Sequence, residues 1–167
     1  MDLNEQTYCN DKYDEYILGS AQVVGLMCLK VFTNGDEVEY QRLKPSAMRL
    51  GSAFQKVNFL RDLKADFEEL SRTYFPNTDL NHLDEKSKQE IIADIESDFE
   101  AAFEGIKNLP LEAKFGVYTA YRYYKKLLKK LQKTPSLEIK NTRIRVSDYQ
   151  KVELLARCYV KYRLNII

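Results

Sequence analysis

Gln55-Lys56-Val57-Asn58-Phe59-Leu60-Arg61-Asp62-Leu63-Lys64-Ala65-Asp66 is the run on which the reading of this 167-residue chain turns. On an α-helix, residues four apart share a face and are separated by about 6 Å of rise. Asn58, Asp62 and Asp66 therefore form one column of oxygen donors, with Gln55 beside its start. A hard divalent cation such as Mg²⁺ takes one or two carboxylates together with waters and substrate phosphates, and such a column offers that donor set. Acids four apart are also common on the solvated face of an amphipathic helix. Spacing alone therefore supports a metal column and an outer face alike.

The run belongs to a longer helical pattern. Lys44-Pro45-Ser46 suits a helix start, because proline is tolerated in the first turn. Leu50, Ala53, Phe54, Val57, Leu60 and Phe67 follow at helical spacing, and Tyr74-Phe75-Pro76-Asn77 breaks it. Upstream, Asp11 to Thr33 predicts a helix with Ile17, Val24, Cys28 and Val31 on an apolar face and Ala21 and Gly25 four apart, ended by the turn residues Asn34-Gly35-Asp36. Downstream, Asp84 to Lys107 is amphipathic, with Ile91, Ile92, Ile95, Phe99, Ala102, Phe103 and Ile106 on one side and acids on the other. Leu109-Pro110 separates it from Leu111 to Leu131, which carries Phe115, Tyr118, Tyr121, Tyr124 and Leu128 and stops at Lys133-Thr134-Pro135. A last helix is expected over Ser147 to Arg163. No repeat, linker or run of alternating residues argues for a sheet, so the expected fold is an all-α bundle in one domain, residues 1–167.

The composition agrees: 44% hydrophobic and 31% charged residues with six glycines and four prolines describe a globular chain able to bury a core without disulfides. Cys9, Cys28 and Cys158 form no CxxC pair, so neither a disulfide framework nor a zinc site is encoded, and a reducing cytoplasm is the natural setting. The opening Met1-Asp2 with Glu5 gives no signal peptide. The apolar stretch Ile17 to Phe32 is interrupted by Ser20, Gln22 and Lys30, falls short of the roughly 20 residues a spanning helix needs, and reads as a buried core helix. His82 has no histidine or cysteine partner and reads as a loop residue, and no glycine-rich phosphate loop is present.

The net charge of +1 hides segregation. Asp62 to Glu112 holds 14 acids and 5 bases, whereas Arg122 to Arg163 holds 13 bases and 3 acids. Such blocks are ordinarily solvated faces, but opposite blocks in one domain also suit a metal site facing an anion-binding wall.

Gln55-x-x-Asn58-x-x-Arg61-Asp62-x-x-x-Asp66, followed by Arg72-x-Tyr74-Phe75-Pro76, resembles the second aspartate-rich motif of squalene/phytoene synthases. Tyr16-Ile17-Leu18-Gly19-Ser20-Ala21-Gln22-Val23-Val24-Gly25 is similar to the tyrosine and small-residue helix of that family. Tyr124-Lys125-Lys126-Leu127-Leu128 and Arg143-Ile144-Arg145-Val146 resemble its late helix and the basic segment after it. The resemblance spans nearly the whole chain and implies a bundle of the isoprenoid synthase type. It implies Asn58, Asp62 and Asp66 as ligands of Mg²⁺, directly or through water. Gln55, Arg61, Tyr124 and Arg143 would lie at the diphosphate, and Tyr16 by the reacting carbons. Tyr16 and Tyr124 read equally well as core aromatics, and Arg143 as a surface cation. Gly19, Ala21 and Gly25 leave two uses open, room for a prenyl chain or close helix packing. Ala65 stands where many relatives have an acid.

The activity implied is head-to-head condensation of two prenyl diphosphates, geranylgeranyl or farnesyl, with phytoene synthase the preferred label over squalene or dehydrosqualene synthesis. Such enzymes use two aspartate-rich motifs on facing helices, and only the second is matched here. The expectation is a C-terminal portion lacking the N-terminal helices, with little activity of its own unless a partner chain supplies the first half. Peripheral membrane contact is compatible with the resemblance. Two rival readings are a non-catalytic helical interaction module and, more remotely, RNA binding by the basic tyrosine-bearing segment, for which no nucleic-acid motif is present.

Overall fold

The computed structural model describes residues 6–7, 10–63, 72–73, 75, 83–139 and 141–167. Expectations resting on Cys9, Ala65, Asp66, Phe67, Tyr74, Pro76, Asn77 and His82 fall outside them. The described chain is helical: α1 Asn10–Ile17, α2 Val23–Phe32, α3 Glu37–Arg61, α4 Glu85–Lys107, α5 Leu111–Lys133, the single turn α6 Ser136–Ile139, and α7 Asp148–Arg163. The sole extended pairing among the described residues is a two-residue parallel ladder joining Gln6–Thr7 to Arg72–Thr73, which leaves the chain all-α.

α1 and α2 run as one helix interrupted by a five-residue π turn, Leu18–Gln22. This is the predicted first helix, and it ends as expected, with Asn34 and Gly35 at φ 50° and 79°. It is not the buried core helix that composition suggested. Ile17 and Leu29 are buried against the bundle, but Leu18, Val23, Val24, Met27 and Val31 are exposed. Because the helix extends back beyond the apolar run, Lys12–Phe32 is also long and apolar enough, by length and composition, to cross a membrane. One face of it docks on α3. A Cβ added at Gly51 would lie 2.7 Å from the Ala21 carbonyl oxygen, and Gln22 Nε2 donates to Ser52 Oγ at 2.8 Å. The backbones cross there because position 51 has no side chain.

The start of α3 differs from expectation for a local reason. Asp36 caps the helix by accepting from the Val38 and Glu39 amides at 2.9 and 3.1 Å, with Glu37 and Glu39 in the first turn. These acid and cap signals outweigh Pro45, which sits inside the helix rather than at its start. The regular helix ends at Arg61, where Asp62 takes φ −100° and ψ 13° and donates its amide to the Asn58 carbonyl at 2.9 Å. It does not run unbroken into the following residues as expected.

α4, α5 and α7 match their predicted bounds to within two residues. Asp84 caps α4 by accepting from the Ser87 amide at 2.7 Å. Lys88, 1% exposed, satisfies the free carbonyls at the C-terminal end of α5 by donating to Thr134 at 2.8 Å, and it pairs with Glu85 at 2.6 Å. The core joins Ala53, Val57 and Leu60 of α3, Ile92, Ile95 and Phe99 of α4, and Tyr121, Leu128 and Leu131 of α5. Burying each large apolar side chain stabilises the fold by about 1.5–3 kcal/mol.

The acids of α4 do not all face solvent as the sequence suggested. Asp98 is fully buried and bonds to Arg49 Nη1 at 2.6 Å and Lys56 Nζ at 2.7 Å, while Lys56 also reaches Asp94 at 2.5 Å. Burial pushes the Lys56 pKa down, but the hydrogen bonds and charges of Asp94 and Asp98 outweigh it and leave it raised. This network ties α3 to α4 on the side away from Asn58.

Candidate active site

Asn58, Arg61 and Asp62 occupy the last turn of α3, so one turn of helix aims an amide, a guanidinium and a carboxylate into one region. Arg61 Nε donates to Asp62 Oδ1 at 3.0 Å, and a second guanidinium nitrogen of Arg61 contacts Oδ2. Arg143, on the segment between α6 and α7, brings its Nε within 2.8 Å of the same Oδ1. One carboxylate is thus held between two cations far apart in sequence. Asp62 is 20% exposed and Arg143 54%, so the arrangement lies at a wet rim. The hydrogen bond to Asp62 raises the Arg61 pKa above its ordinary value; burial opposes this, while the Asp62, Tyr124 and Tyr123 charges add to it.

Tyr124 of α5 stacks on Phe54 with ring centres 4.1 Å apart and directs its hydroxyl to Asn58 Oδ1 at 3.4 Å. That long contact orients the amide. Gln55 lies one turn before Asn58 and lines a cleft of about 540 Å³ bounded by α2, α3, α4 and α5. The cleft is apolar, with Val24, Leu50, Phe54, Ile106 and Val117 among its walls. Tyr16 is half-buried with its ring 5.7 Å from Phe59, in an aromatic cluster with Tyr13 and Phe75 rather than in the cleft wall.

The structure thus brings Arg61, Asp62 and Arg143 together with Asn58 and Tyr124 beside them; Gln55 lies a turn earlier facing the cleft, Tyr16 packs on Phe59, and Asp66 is outside the described residues. Close packing holds for Gly25, where a Cβ would sit 3.1 Å from the Ala47 carbonyl, and the same glycine lines the cleft. Gly19 meets neither description, having open space around it. The reading missed Gly51 and Gly116. The first permits the α2–α3 crossing, and the second lines the cleft, where an added Cβ would meet nothing within 4 Å. The triplet Gly51-Ser52-Ala53 amid larger residues was the available signal.

Among the described residues no group of three or more His, Cys, Asp or Glu side chains converges. The donors present, one carboxylate and one amide oxygen, still fit Mg²⁺, which completes its shell with phosphate and water oxygens. The same rim carries two arginines, whose guanidiniums match phosphate oxygens two at a time. The site therefore combines a carboxylate, an amide and two guanidiniums at the end of α3, on an all-helical scaffold whose α3 also lines an apolar cleft.

The comparison with known families agrees. The squalene/phytoene synthase family model matches residues 1–150, and the chain belongs to that family. The bundle is correspondingly of the isoprenoid synthase type. Members are transferases that bind prenyl diphosphates with a divalent metal. No curated protein matches the chain.

Proposed function

We propose that this chain serves head-to-head condensation of two prenyl diphosphates, geranylgeranyl or farnesyl, and contributes the second of the two acidic half-sites. The observation that carries the reading is Asp62 held between Arg61 and Arg143 at the end of α3, the helix whose Phe54 and Gln55 line an apolar cleft. Asn58, Asp62 and Asp66 would hold Mg²⁺, whose chemistry is to neutralise a departing diphosphate. Arg61, Arg143 and the Tyr124 hydroxyl would bind the diphosphate oxygens, and Gln55 would mark the passage from polar rim to cleft. The cleft walls would shield the prenyl chain and its allylic cation from water. Tyr16 near the reacting carbons rests on the family resemblance. Phytoene, the C40 product, is the preferred assignment, in carotenoid biosynthesis.

This sequence supplies one acidic column and condensation needs two, so the purified chain should form little or no product with Mg²⁺ and a prenyl diphosphate. Calorimetry with a non-hydrolysable farnesyl or geranylgeranyl diphosphate analogue tests the half-site. Binding that requires Mg²⁺ and disappears in the Asp62→Ala, Asp66→Ala double variant supports it, and binding indifferent to both rejects it. A second reading, a non-catalytic helical interaction module, is favoured by the exposed Val23, Val24, Met27 and Val31 on α2. Analogue binding absent in every form would select that reading.

A further inference from the structure

A strongly basic groove of about 1110 Å³ lies between α5 and α7, with Glu96 of α4 as its third edge and without Asp62 in its lining. Arg122, Lys125, Lys126 and Lys129 follow one another at helical spacing along α5, and Arg157 and Lys161 face them from α7. Among the described residues two acids, Glu96 and Glu153, line the groove with these six cations. Glu96 is 3.8 Å from Lys125, and Glu153 is 3.8 Å from Lys126 and 2.7 Å from Arg157. Arg122, Lys129 and Lys161 are exposed and have no carboxylate partner among the described residues. Bare cations this close raise one another's energy, and an anionic occupant relieves that cost.

Charge alone would suit any polyanion, but the floor narrows the choice. Tyr118, Tyr121, Leu154 and Cys158 are buried residues beneath the rim, and Val160 stands 53% exposed at its edge. A phosphate backbone finds no apolar complement in such a floor, and a flat bilayer does not enter a concave cleft. An amphipathic helix meets both parts: its apolar stripe fills the floor while acids flanking the stripe meet the two cationic walls. We infer that the α5–α7 groove docks an acid-flanked amphipathic helix of a partner protein. The site is independent of the Asp62 rim, because α5 turns Tyr124 toward α3 and these cations toward α7.

The test is fluorescence anisotropy with a labelled 18-residue helical peptide bearing leucine at i, i+3, i+4 and i+7 flanked by glutamates. The wild-type chain should bind it saturably. Lys129→Glu/Lys161→Glu should weaken binding at least tenfold, whereas Lys12→Glu/Arg42→Glu, the same change in net charge elsewhere, should alter it less than twofold. Circular dichroism establishes that both variants fold. Serine in place of the leucines should abolish binding, as should lysine in place of the glutamates. Equal binding of the serine peptide, equal weakening by both double variants, or capture of anionic vesicles or RNA with no peptide binding would each overturn the inference. None of these readouts involves Mg²⁺ or prenyl diphosphate, so their outcome is separable from that of the proposed synthase half-site.

Discussion

Asp62 cannot serve a metal and two arginines equally. In the described arrangement both guanidiniums lie on its carboxylate, so a cation arriving alone must displace at least one of them. A diphosphate arriving with the cation would give the arginines new oxygens to bind and would free the carboxylate to hold the metal proposed there. Arg143 is the more exposed of the two and so the easier to release. Arg143→Ala should therefore raise the affinity for Mg²⁺ alone by about threefold, in keeping with the small worth of a half-exposed ion pair, while weakening the diphosphate analogue. Calorimetric titration of each ligand checks both signs. At this scale the sequence was informative where spacing acts locally: Asn58 and Asp62 sit one turn apart, as their separation requires. The meeting of Arg143 with Asp62 joins residues 81 apart and is set by how α5 and α7 pack, so no local pattern encodes it.

The elements are set by caps and by what their faces meet. α4, α5 and α7 fell where apolar spacing placed them, since each has one apolar stripe and a clear stop. α3 did not, because Pro45 drew attention from the Asp36 cap, and because a helix buried on several sides lacks a clean stripe. The π turn at Leu18–Gln22 has no composition signal at all. Two predictions belong here. Gly51→Ala places a methyl group 2.7 Å from a backbone oxygen that cannot swing aside, so it should cost about 2 kcal/mol by overpacking, read as a shift in the urea midpoint. Lys56→Met leaves Asp98 buried with Arg49 as its one remaining cation among the described residues. Breaking a buried pair in this way should cost about 3 kcal/mol, measured by the same transition.

Over the whole molecule, charge segregation that was plain in the sequence becomes two surfaces: an acid-rich α4 face and a basic α5–α7 groove. The exposed apolar face of α2 was not foreseen, because composition alone cannot tell a buried apolar helix from one covered on one side only. Stability against alkali is also a property of the whole fold. Tyr13, at 8% exposure, has its pKa raised by burial and by Asp94, Asp14 and Asp98, and Lys56 is raised as described. In the unfolded chain these groups release protons near about pH 10 and 10.4. Above those values the native state retains protons that the unfolded state has lost, so unfolding becomes easier as pH rises. Burial raises Cys158 and Tyr121 as well, so the stability should begin to fall above about pH 8.5 and steepen above about pH 10, by up to about 1.4 kcal/mol per pH unit for each group. Urea unfolding at a series of pH values checks the slope, which Tyr13→Phe should lower.

The rim around Asp62 is the proposed meeting place of a divalent metal and a prenyl diphosphate. Paramagnetic broadening of assigned amide resonances by Mn²⁺, recorded with and without a non-hydrolysable prenyl diphosphate analogue, tests it directly. With the analogue present, broadening should centre on Asn58, Asp62 and Arg143, and Asp62→Ala should remove it. Broadening centred elsewhere, or unchanged by Asp62→Ala, would contradict it.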